Sequence, residues 1–356
     1  MIHYYHYQPE SHHHDDNPSG KEPRKKPKGR HSQPDTPLAR THPIKHLFKL
    51  MIIMMLVLMI AVAAMAIFAY FYVTQGSIDN TEGRTNIVFL GVDEAASLSD
   101  TIMLVSIDNL DEDPDVAMVS IPRDLWVDVP GFGGSKINAA YSIGERNQYP
   151  GGGPALTKET LESVLELDIH YYSALDFDGF IALIDAAGGV EIEVESTIND
   201  PRYPADDGSG YEPLLIEAGT QHFDGEKALK YARSRQSTND FDRAFRQQQI
   251  VLALRDQVVN DSRLPQVQKI TSLITTLDDK VETDMSRAEV LQLAAALRDT
   301  NPDDVPQYVI DTSNFLVGAQ FDGSYLVPRT GNFDEIKSFI DNLFEQDAID
   351  EYESMF

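Results

Sequence analysis

Three short apolar runs lie between residues 86 and 121, and each has the length and β-branched content of a buried strand. They are NIVFLGVD (86–93), TIMLVSI (101–107) and VAMVSI (116–121). If these strands alternate in direction, Asp93 ends the first and Asp100 precedes the second, at one edge of the sheet. Arg123 follows the third strand and reaches the same edge. The pattern therefore predicts two carboxylates and a guanidinium at one rim.

Helical segments alternate with further strands along the rest of the chain. We predict helices over 157–165, 177–187, 226–232 and 241–258, and a later helix that ends at Leu297. Thr157 or Thr160 would cap the first, Gly188 would end the second, and Asp240 would be the N-cap of the fourth. The last begins with the capping box Ser286–Glu289. VEIEV (190–194) predicts a strand, and the Pro- and Gly-rich stretch 199–213 a loop. This order predicts an α/β (α+β) three-layer sandwich with a central mixed β-sheet flanked by helices.

An uncharged apolar run, residues 50–73, is long enough to cross a bilayer. Nine cations and five acids precede it and give residues 1–49 a net charge of +4, which leaves −32 for the rest of a chain of net charge −28. The positive-inside rule then predicts a single-pass protein of the cell membrane, with a cytoplasmic N-terminus and an extracytoplasmic C-terminal domain. A cleaved signal peptide is the alternative, although its apolar region is usually shorter.

The predicted organisation has five parts. They are a disordered basic tail (1–49), a transmembrane helix (50–73), a linker (74–83), an extracytoplasmic domain (84–345) and an acidic C-terminal tail (346–356). The chain has no cysteine, which fits an exported domain without disulfides. So acidic an outer domain repels polyanions, and we therefore expect no nucleic-acid partner.

Four arginines and a glutamine lie within fifteen residues of this acidic domain: Arg233, Arg235, Arg243, Arg246 and Gln247. The last three share one face near a predicted helix N-terminus, which itself attracts anions. Guanidinium groups bind phosphates bidentately, so the cluster predicts a phosphate or pyrophosphate site. Lys136, which follows two glycines, is a further candidate, with an ordinary exposed lysine as the alternative.

Asp93 and Asp100 flank one six-residue loop. Either alone would be an ordinary turn cap, but as a pair near an arginine they are candidate ligands for Mg²⁺, with Mn²⁺ as a substitute. Asp124 is expected to form an ion pair that fixes its own loop. No Ser-His-Asp or Cys-His pattern is apparent, so a general base would be a carboxylate, with Asp93 and Asp240 as the candidates.

The chain resembles, motif by motif and in the same order, the LytR-CpsA-Psr family of bacterial envelope proteins. The motifs that carry the resemblance are GVD, SDTIMLVSID, SIPRD, KINAAYSIG, DFDGFIALIDAAGGVEI, YARSR and DFDRAFRQQQ. The resemblance covers residues 84–260 strongly and 265–345 weakly. It implies a phosphotransferase that moves a glycopolymer from a polyprenyl-pyrophosphate carrier to a cell-wall hydroxyl, usually of peptidoglycan, through a phosphodiester bond. By the same resemblance, Asp93 and Asp100 would hold Mg²⁺.

The resemblance also implies a catalytic role for Arg123, Arg233 and Arg235 beside the two aspartates. The pyrophosphate-binding set it implies is Arg123, Lys136, Arg233, Arg235, Arg243, Arg246 and Gln247. An apolar cavity would take the polyprenyl tail near the membrane surface. Two alternatives stay open. One is a polyprenyl-pyrophosphate pyrophosphatase, and the other is a non-catalytic membrane protein of the envelope that binds such lipids or has a regulatory role.

Overall fold

The computed structural model describes residues 54–55, 57–63, 78, 83–93, 98–108, 110, 114–205, 210–235, 240–260, 266–277, 279–319 and 325–355. Residues 54–55 and 57–63 of the predicted membrane span are helical with exposed side chains. Among the described residues, no helix combines the length and apolar character that crossing a membrane requires. The rest of the span and the tail 1–49 lie outside them, so both stay predictions.

A six-stranded mixed sheet forms the centre of the domain. Its strands, in spatial order, are β11 (Val281–Thr283), β6 (Tyr171–Leu175), β1 (Arg84–Val92), β2 (Ser99–Asp108), β3 (Asp115–Ser120) and β12 (Gln307–Val309). Strands β1, β2 and β3 pair antiparallel, whereas β6 and β12 each join the sheet in parallel. The three strands predicted between residues 86 and 121 are confirmed, and so is their alternating direction.

The remaining strands of the described residues form four two-stranded sheets. They pair β4 (Trp126–Val129) with β5 (Gly133–Lys136), β7 (Val190–Val194) with β10 (Gly219–Phe223), β8 (Ile198–Pro204) with β9 (Tyr211–Ile216), and β13 (Leu316–Gly318) with β14 (Leu326–Pro328). The loop predicted over 199–213 is therefore wrong, because most of it forms the hairpin β8–β9. Ile198, Asp200 and Tyr203 are buried there at irregular intervals, since the register shifts between Asp200 and Tyr203 and breaks the strand alternation.

Nine α-helices lie between residues 138 and 353 in the described part of the chain. They are α1 (Asn138–Arg146), α2 (Gly152–Leu165), α3 (Phe177–Ala187), α4 (Gly225–Arg233), α5 (Asp240–Asn260), α6 (Gln266–Thr276), α7 (Arg287–Ala296), α8 (Asp334–Asp341) and α9 (Gln346–Glu353), with a 3₁₀ turn at Pro302–Asp304. The end of α3 is confirmed at Gly188, whose φ of 92° suits glycine. The capping box of α7 is confirmed as well.

Helix α2 begins five residues before its predicted start, so neither predicted threonine is its cap. The hydroxyls of Thr157 and Thr160 instead donate to the carbonyls of Gly153 and Leu156, one turn earlier in the same helix. Both threonines are fully buried, and a buried hydroxyl inside a helix needs an acceptor close by in the same helix.

Helices cover both faces of the central sheet, because alternate residues of one strand enter different apolar clusters. In β1, Val88 and Leu90 pack with α1, α2, α8 and α9, whereas Ile87 lies in the other cluster, against which α5 and α7 place partly buried side chains. The mixed sheet and its flanking helices are as predicted. Residues 346–353, expected as an acidic tail, instead form α9, whose Tyr352 is buried in the first cluster.

Candidate functional site

The predicted rim of the sheet is present. Asp100 lies at the start of β2 and Arg123 three residues after the end of β3, and the Arg123 Nη1 donates to the Asp100 Oδ1 at 2.7 Å. Both side chains are half-buried, at 29% and 23% exposure. Partial burial strengthens this charge-assisted hydrogen bond and leaves both groups open to a ligand. The sequence prediction that Arg123 meets a carboxylate at this edge is confirmed.

Ion pairs continue on both sides of this contact and form a chain of alternating charges. From Lys136 through Asp124, Arg123 and Asp100 to Arg235, the successive nitrogen–oxygen distances are 2.7, 3.8, 2.7 and 3.9 Å. Three cations meet two carboxylates, so this ion-pair chain carries a net charge of +1 in a strongly acidic protein. The predicted ion pair of Asp124 is confirmed, and its partners are Lys136 and Arg123.

Arg233 is the last residue of helix α4, and Arg235 lies two residues further along the chain. We call residues 233–235 the arginine segment. The Arg233 guanidinium lies 4.4 Å from the centre of the Phe177 ring, and its Nη1 donates to the Tyr203 hydroxyl at 3.2 Å. The aromatic rings therefore fix this cation in place. The Arg235 side chain is 49% exposed, so it can reach a bound anion.

Asp200 of β8 binds the arginine segment through the Ser234 side chain and the Arg235 backbone. Its Oδ2 accepts from the Ser234 hydroxyl at 2.9 Å and from the Arg235 N–H at 3.1 Å, while Oδ1 accepts from the Arg202 N–H at 3.1 Å. Asp200 is 2% exposed. Sequence reasoning missed this residue, because it lies in the stretch expected to be a loop and no motif marks it.

Helix α5 presents Arg243, Arg246 and Gln247 near its start, as predicted, and Arg243 is almost fully buried there. The Arg246 Nε donates to the Tyr231 carbonyl at 3.0 Å and its Nη2 to the Ser234 carbonyl at 2.5 Å. Gln247 donates to the Ala232 carbonyl at 3.4 Å. Burial lowers the pKa of Arg246. These contacts position the arginine segment, and a phosphate contact for Arg246 or Gln247 stays a prediction.

Asp93 follows β1, and its N–H donates to the Leu98 carbonyl at 3.3 Å, beside the paired residues Val92 and Ser99. Asp93 lines a cavity of about 300 Å³ with the acidic side chains of Glu145, Asp176 and Glu282. Tyr141 borders the same cavity; burial raises its pKa, and the carboxylates of Glu282 and Glu145 raise it further. The surroundings of Asp93 therefore favour cations, whereas those of Asp100 favour anions.

The two aspartates offer hard oxygen donors of the kind that Mg²⁺ prefers. Within the described residues, no group of three or more acidic or histidine side chains could enclose a metal ion. Mg²⁺ is usually held by one or two carboxylates and completed by water and substrate phosphates. Asp93 in its acidic cavity and Asp100 beside the arginines each fit as a ligand of an ion that also contacts a bound phosphate. The Asp240 side chain, a candidate base, lies outside the described residues.

A family model described as the LytR_cpsA_psr family matches residues 68–340. The chain is 30% identical over 275 residues to the regulatory protein MsrR of Staphylococcus aureus (strain COL), covering 75% of this chain and 77% of that protein. It is 29% identical over 270 residues to the polyisoprenyl-teichoic acid–peptidoglycan teichoic acid transferase TagV of Bacillus subtilis (strain 168), covering 73% and 64%.

The crystal structure of B. subtilis TagV superposes with a TM-score of 0.59 at 28% identity and covers 74% of this chain and 97% of that one. The likeness therefore extends over nearly all of the TagV structure. The family match covers both the rim of the sheet and the arginine segment. The chain belongs to the LytR_cpsA_psr family.

Proposed function

We propose that this protein is a phosphotransferase that moves a glycopolymer from a polyprenyl-pyrophosphate carrier to a hydroxyl of peptidoglycan through a phosphodiester bond. The similar protein TagV is named a transferase of polyisoprenyl-linked teichoic acid to peptidoglycan, which supports this class of reaction. MsrR is named a regulatory protein, so the family likeness alone leaves a regulatory role open. The site must distinguish the two.

The observation that carries the proposal is the ion-pair chain at the sheet edge. Phosphoryl transfer depends mainly on positioning and on neutralising the charge of the transferring group. Arg123 and Arg235 already face one carboxylate, Asp100, and together with Arg233 they offer three guanidiniums to a pyrophosphate. Such groups stabilise developing charge without reorganisation, because Asp200 and the aromatic rings fix the arginine segment beforehand.

Each side chain then has a defined part. Arg233 and Arg235 bind the pyrophosphate, Arg123 orients it against Asp100, and Lys136 and Arg243 add positive charge. The acceptor oxygen forms a bond to the sugar-side phosphorus as its hydroxyl proton passes to a carboxylate, for which Asp93 and Asp240 are the candidates. The bond from that phosphorus to the bridging oxygen breaks, which releases polyprenyl phosphate. Asp93 and Asp100 would hold Mg²⁺, which when bound neutralises charge on the phosphates. Mn²⁺ could replace it.

The polyprenyl chain needs an apolar surface close to the phosphates. The sheet face that carries Ile87, Met103 and Val105 is buried, and Val251 and Leu293 of the helices packed against it are partly exposed. We propose that the lipid enters between this face and helices α5 and α7, which would have to move apart to admit it. The carrier lies in the membrane, so we further propose that residues 50–73 anchor the protein there, with the basic tail in the cytoplasm and the domain outside.

The test is Asp100→Ala in the full-length protein, in detergent micelles with Mg²⁺. A synthetic pyrophosphate-linked sugar on a short polyprenyl chain and a soluble peptidoglycan fragment are the substrates, and released polyprenyl phosphate is measured. We expect the substitution to lower turnover by about a hundredfold or more, because it removes both a metal ligand and the partner that orients Arg123. Asp128→Ala, an exposed carboxylate on β4, is the matched control and should leave turnover unchanged.

The alternatives predict different results. Full activity of Asp100→Ala, or activity that is indifferent to a chelator, would exclude the metal role. Release of polyprenyl phosphate at an equal rate without the acceptor would favour the pyrophosphatase. Tight binding of the substrate without any turnover would favour the regulatory protein.

A further inference from the structure

Two large apolar side chains of strand β9 are unusually exposed. Tyr211 is 72% and Leu215 62% exposed, and among the described residues outside the predicted span 50–73 no other large apolar side chain exceeds 44%. The two residues lie four positions apart in one strand, so their side chains point to the same face. Single exposed apolar residues are ordinary on a protein surface, whereas a group on one face indicates an interaction site.

The rest of the hairpin β8–β9 extends this apolar face. In β8, the buried residues Ile198, Asp200 and Tyr203 point inward, and the residues between them are exposed. In β9, exposed residues alternate with more buried ones. The apolar residues of the outward side of the hairpin are therefore Pro201, Pro204, Tyr211, Pro213 and Leu215. We call this outward side the hairpin face.

The hairpin face also differs in charge from the acidic domain around it. Its polar residues are Asn199 and Arg202, and none of its described residues is a carboxylate. Glu212, which alternates with the exposed residues of β9, faces Lys230 at a nitrogen–oxygen distance of 3.4 Å. Residues 206–209, which contain two aspartates, lie outside the described part of the chain. The strands thus present an apolar surface with one arginine, which suits an anionic lipid surface.

The inner side of the same hairpin contacts the arginine segment. Asp200 accepts from the Ser234 hydroxyl at 2.9 Å, and the Tyr203 hydroxyl accepts from Arg233 at 3.2 Å. The hairpin face is therefore the reverse side of the strand that holds the proposed pyrophosphate site. The inference rests on the proposed function here, because the pyrophosphate of a membrane carrier lies at the level of the lipid headgroups and brings this part of the protein close to the bilayer.

The residue types of the hairpin face suit the membrane interface better than a second protein strand. Tyrosine is typical of the headgroup region, where its ring is among apolar groups and its hydroxyl is in water. The three prolines have no N–H, so they lower the number of backbone donors that lipid would leave without a partner. The same lack of donors hinders pairing with the strand of another copy.

We propose that the hairpin face rests on the outer surface of the membrane, with Tyr211 and Leu215 inserted among the lipid headgroups. The contact would hold the arginine segment at the depth of the carrier pyrophosphate. Contact with the bilayer is independent of transfer and can be measured separately.

The absence of cysteine from the chain allows a single fluorescent label to report on this contact. Asn199 is exposed and is the cross-strand partner of Leu215, so Asn199→Cys can carry a nitrobenzoxadiazole label while Tyr211 and Leu215 stay intact. The labelled full-length protein is reconstituted into vesicles of equal parts phosphatidylglycerol and phosphatidylethanolamine. Lipids with a nitroxide near the headgroup quench a label in the bilayer, and iodide on both sides of the membrane quenches a label in water.

The reference position is Gln346, which is exposed at the start of α9. This helix packs against the opposite face of the central sheet from α5, whereas the hairpin packs with α5 through Ile198 and Ile250. We expect the label at residue 199 to be quenched by the nitroxide lipid and protected from iodide. The label in Gln346→Cys should show the reverse.

Variants of the inserted pair complete the test. Tyr211→Ser combined with Leu215→Ser should lower nitroxide quenching of the label at residue 199 to the level seen at residue 346. Val317→Ser, which removes a 38% exposed apolar side chain from another two-stranded sheet, is the matched control and should leave the quenching unchanged. An unchanged midpoint of urea unfolding shows that each variant is folded.

Three results would overturn the proposal. The first is nitroxide quenching at residue 199 that is no stronger than at residue 346, and the second is quenching that the double serine variant leaves intact. The third is protection from iodide without nitroxide quenching, which would mean that protein, such as a second copy, covers the hairpin face. Failure of the proposed function would look different, since the label would still report contact with the bilayer while turnover of the carrier would be missing.

Discussion

Asp200 allows a test of whether the arginine segment is preorganised. Replacing it with alanine removes the acceptor of the Ser234 hydroxyl and of the Arg235 N–H, which it binds at 2.9 and 3.1 Å. Ser234 is 1% exposed, so water cannot readily replace the carboxylate. A buried donor left without a partner costs about 1–3 kcal/mol, and two such donors predict a loss of about 3 kcal/mol in the free energy of unfolding.

Affinity should fall for a separate reason. Once Arg235 is no longer held, binding must order it again, and fixing one residue's backbone costs about 1–2 kcal/mol. This cost corresponds to about a tenfold or greater loss in affinity for a pyrophosphate. Stability is measured by urea unfolding of the full-length protein in detergent, followed by tryptophan fluorescence, and affinity by calorimetric titration with farnesyl pyrophosphate.

Asp224→Ala is the matched control, because Asp224 caps the other end of the helix that carries Arg233. It accepts from the Lys227 N–H at 2.9 Å, and losing such a cap costs about 1 kcal/mol. This variant should lose stability but keep its affinity. If Asp200→Ala loses stability and still binds at full strength, the preorganisation argument is wrong. An equal loss of affinity in both variants would show that only the stability of α4 matters.

Two further predictions concern charged groups that are partly or almost fully buried. Burial raises the pKa of the Glu162 carboxyl above its usual range, although Lys158 offsets part of the shift. The folded state therefore binds this proton more tightly than the unfolded state does. The resulting stability is present at low pH and is lost as the pH rises through the folded-state pKa. Glu162→Gln should therefore raise the melting temperature at about pH 7.5 and change it little at about pH 4; the reverse order in a calorimetric scan would contradict this assignment. Arg246→Ala should lower the free energy of unfolding by about 3 kcal/mol, because it leaves two carbonyls without their donor. Its control is Arg298→Ala, which removes an exposed ion pair and should leave the free energy of unfolding unchanged in the same urea experiment.

Sequence patterns were sufficient for the central strands and the rim between them. Continuous β-branched runs leave few alternatives to buried strands, and the short loops between β1, β2 and β3 require that neighbours alternate in direction. The position of Asp100 beside Arg123 followed from that order alone, and the 2.7 Å contact confirms it. Local signals were equally clear at Gly188 and at the Ser286–Glu289 capping box, where the backbone geometry is decided within a few residues.

The hairpin β8–β9 could not be predicted because its stability comes from distant residues. Its sequence has proline, glycine and aspartate at intervals typical of loops. Ile198 becomes buried only when it packs in one apolar cluster with residues such as Ile192 and Ile250, and the Tyr203 hydroxyl is held by Arg233. Asp200 was missed with it. Helix α9 shows the same limit, since its acidic sequence gives no sign that Tyr352 enters the core.

The arginines show why spacing predicts a shared face but not what each cation binds. Arg243, Arg246 and Gln247 do lie together on the first turns of α5, but Arg246 and Gln247 meet carbonyls at the end of α4 and in the arginine segment. A helix end exposes carbonyls that need donors, and a guanidinium satisfies them as readily as it binds a phosphate. The division of work then follows from burial: Arg235, 49% exposed, can meet a ligand, whereas buried Arg246 is committed to holding the backbone that presents it. Substituting Arg246 should therefore affect binding through the same segment that Asp200 also fixes, so the two losses of affinity should not add.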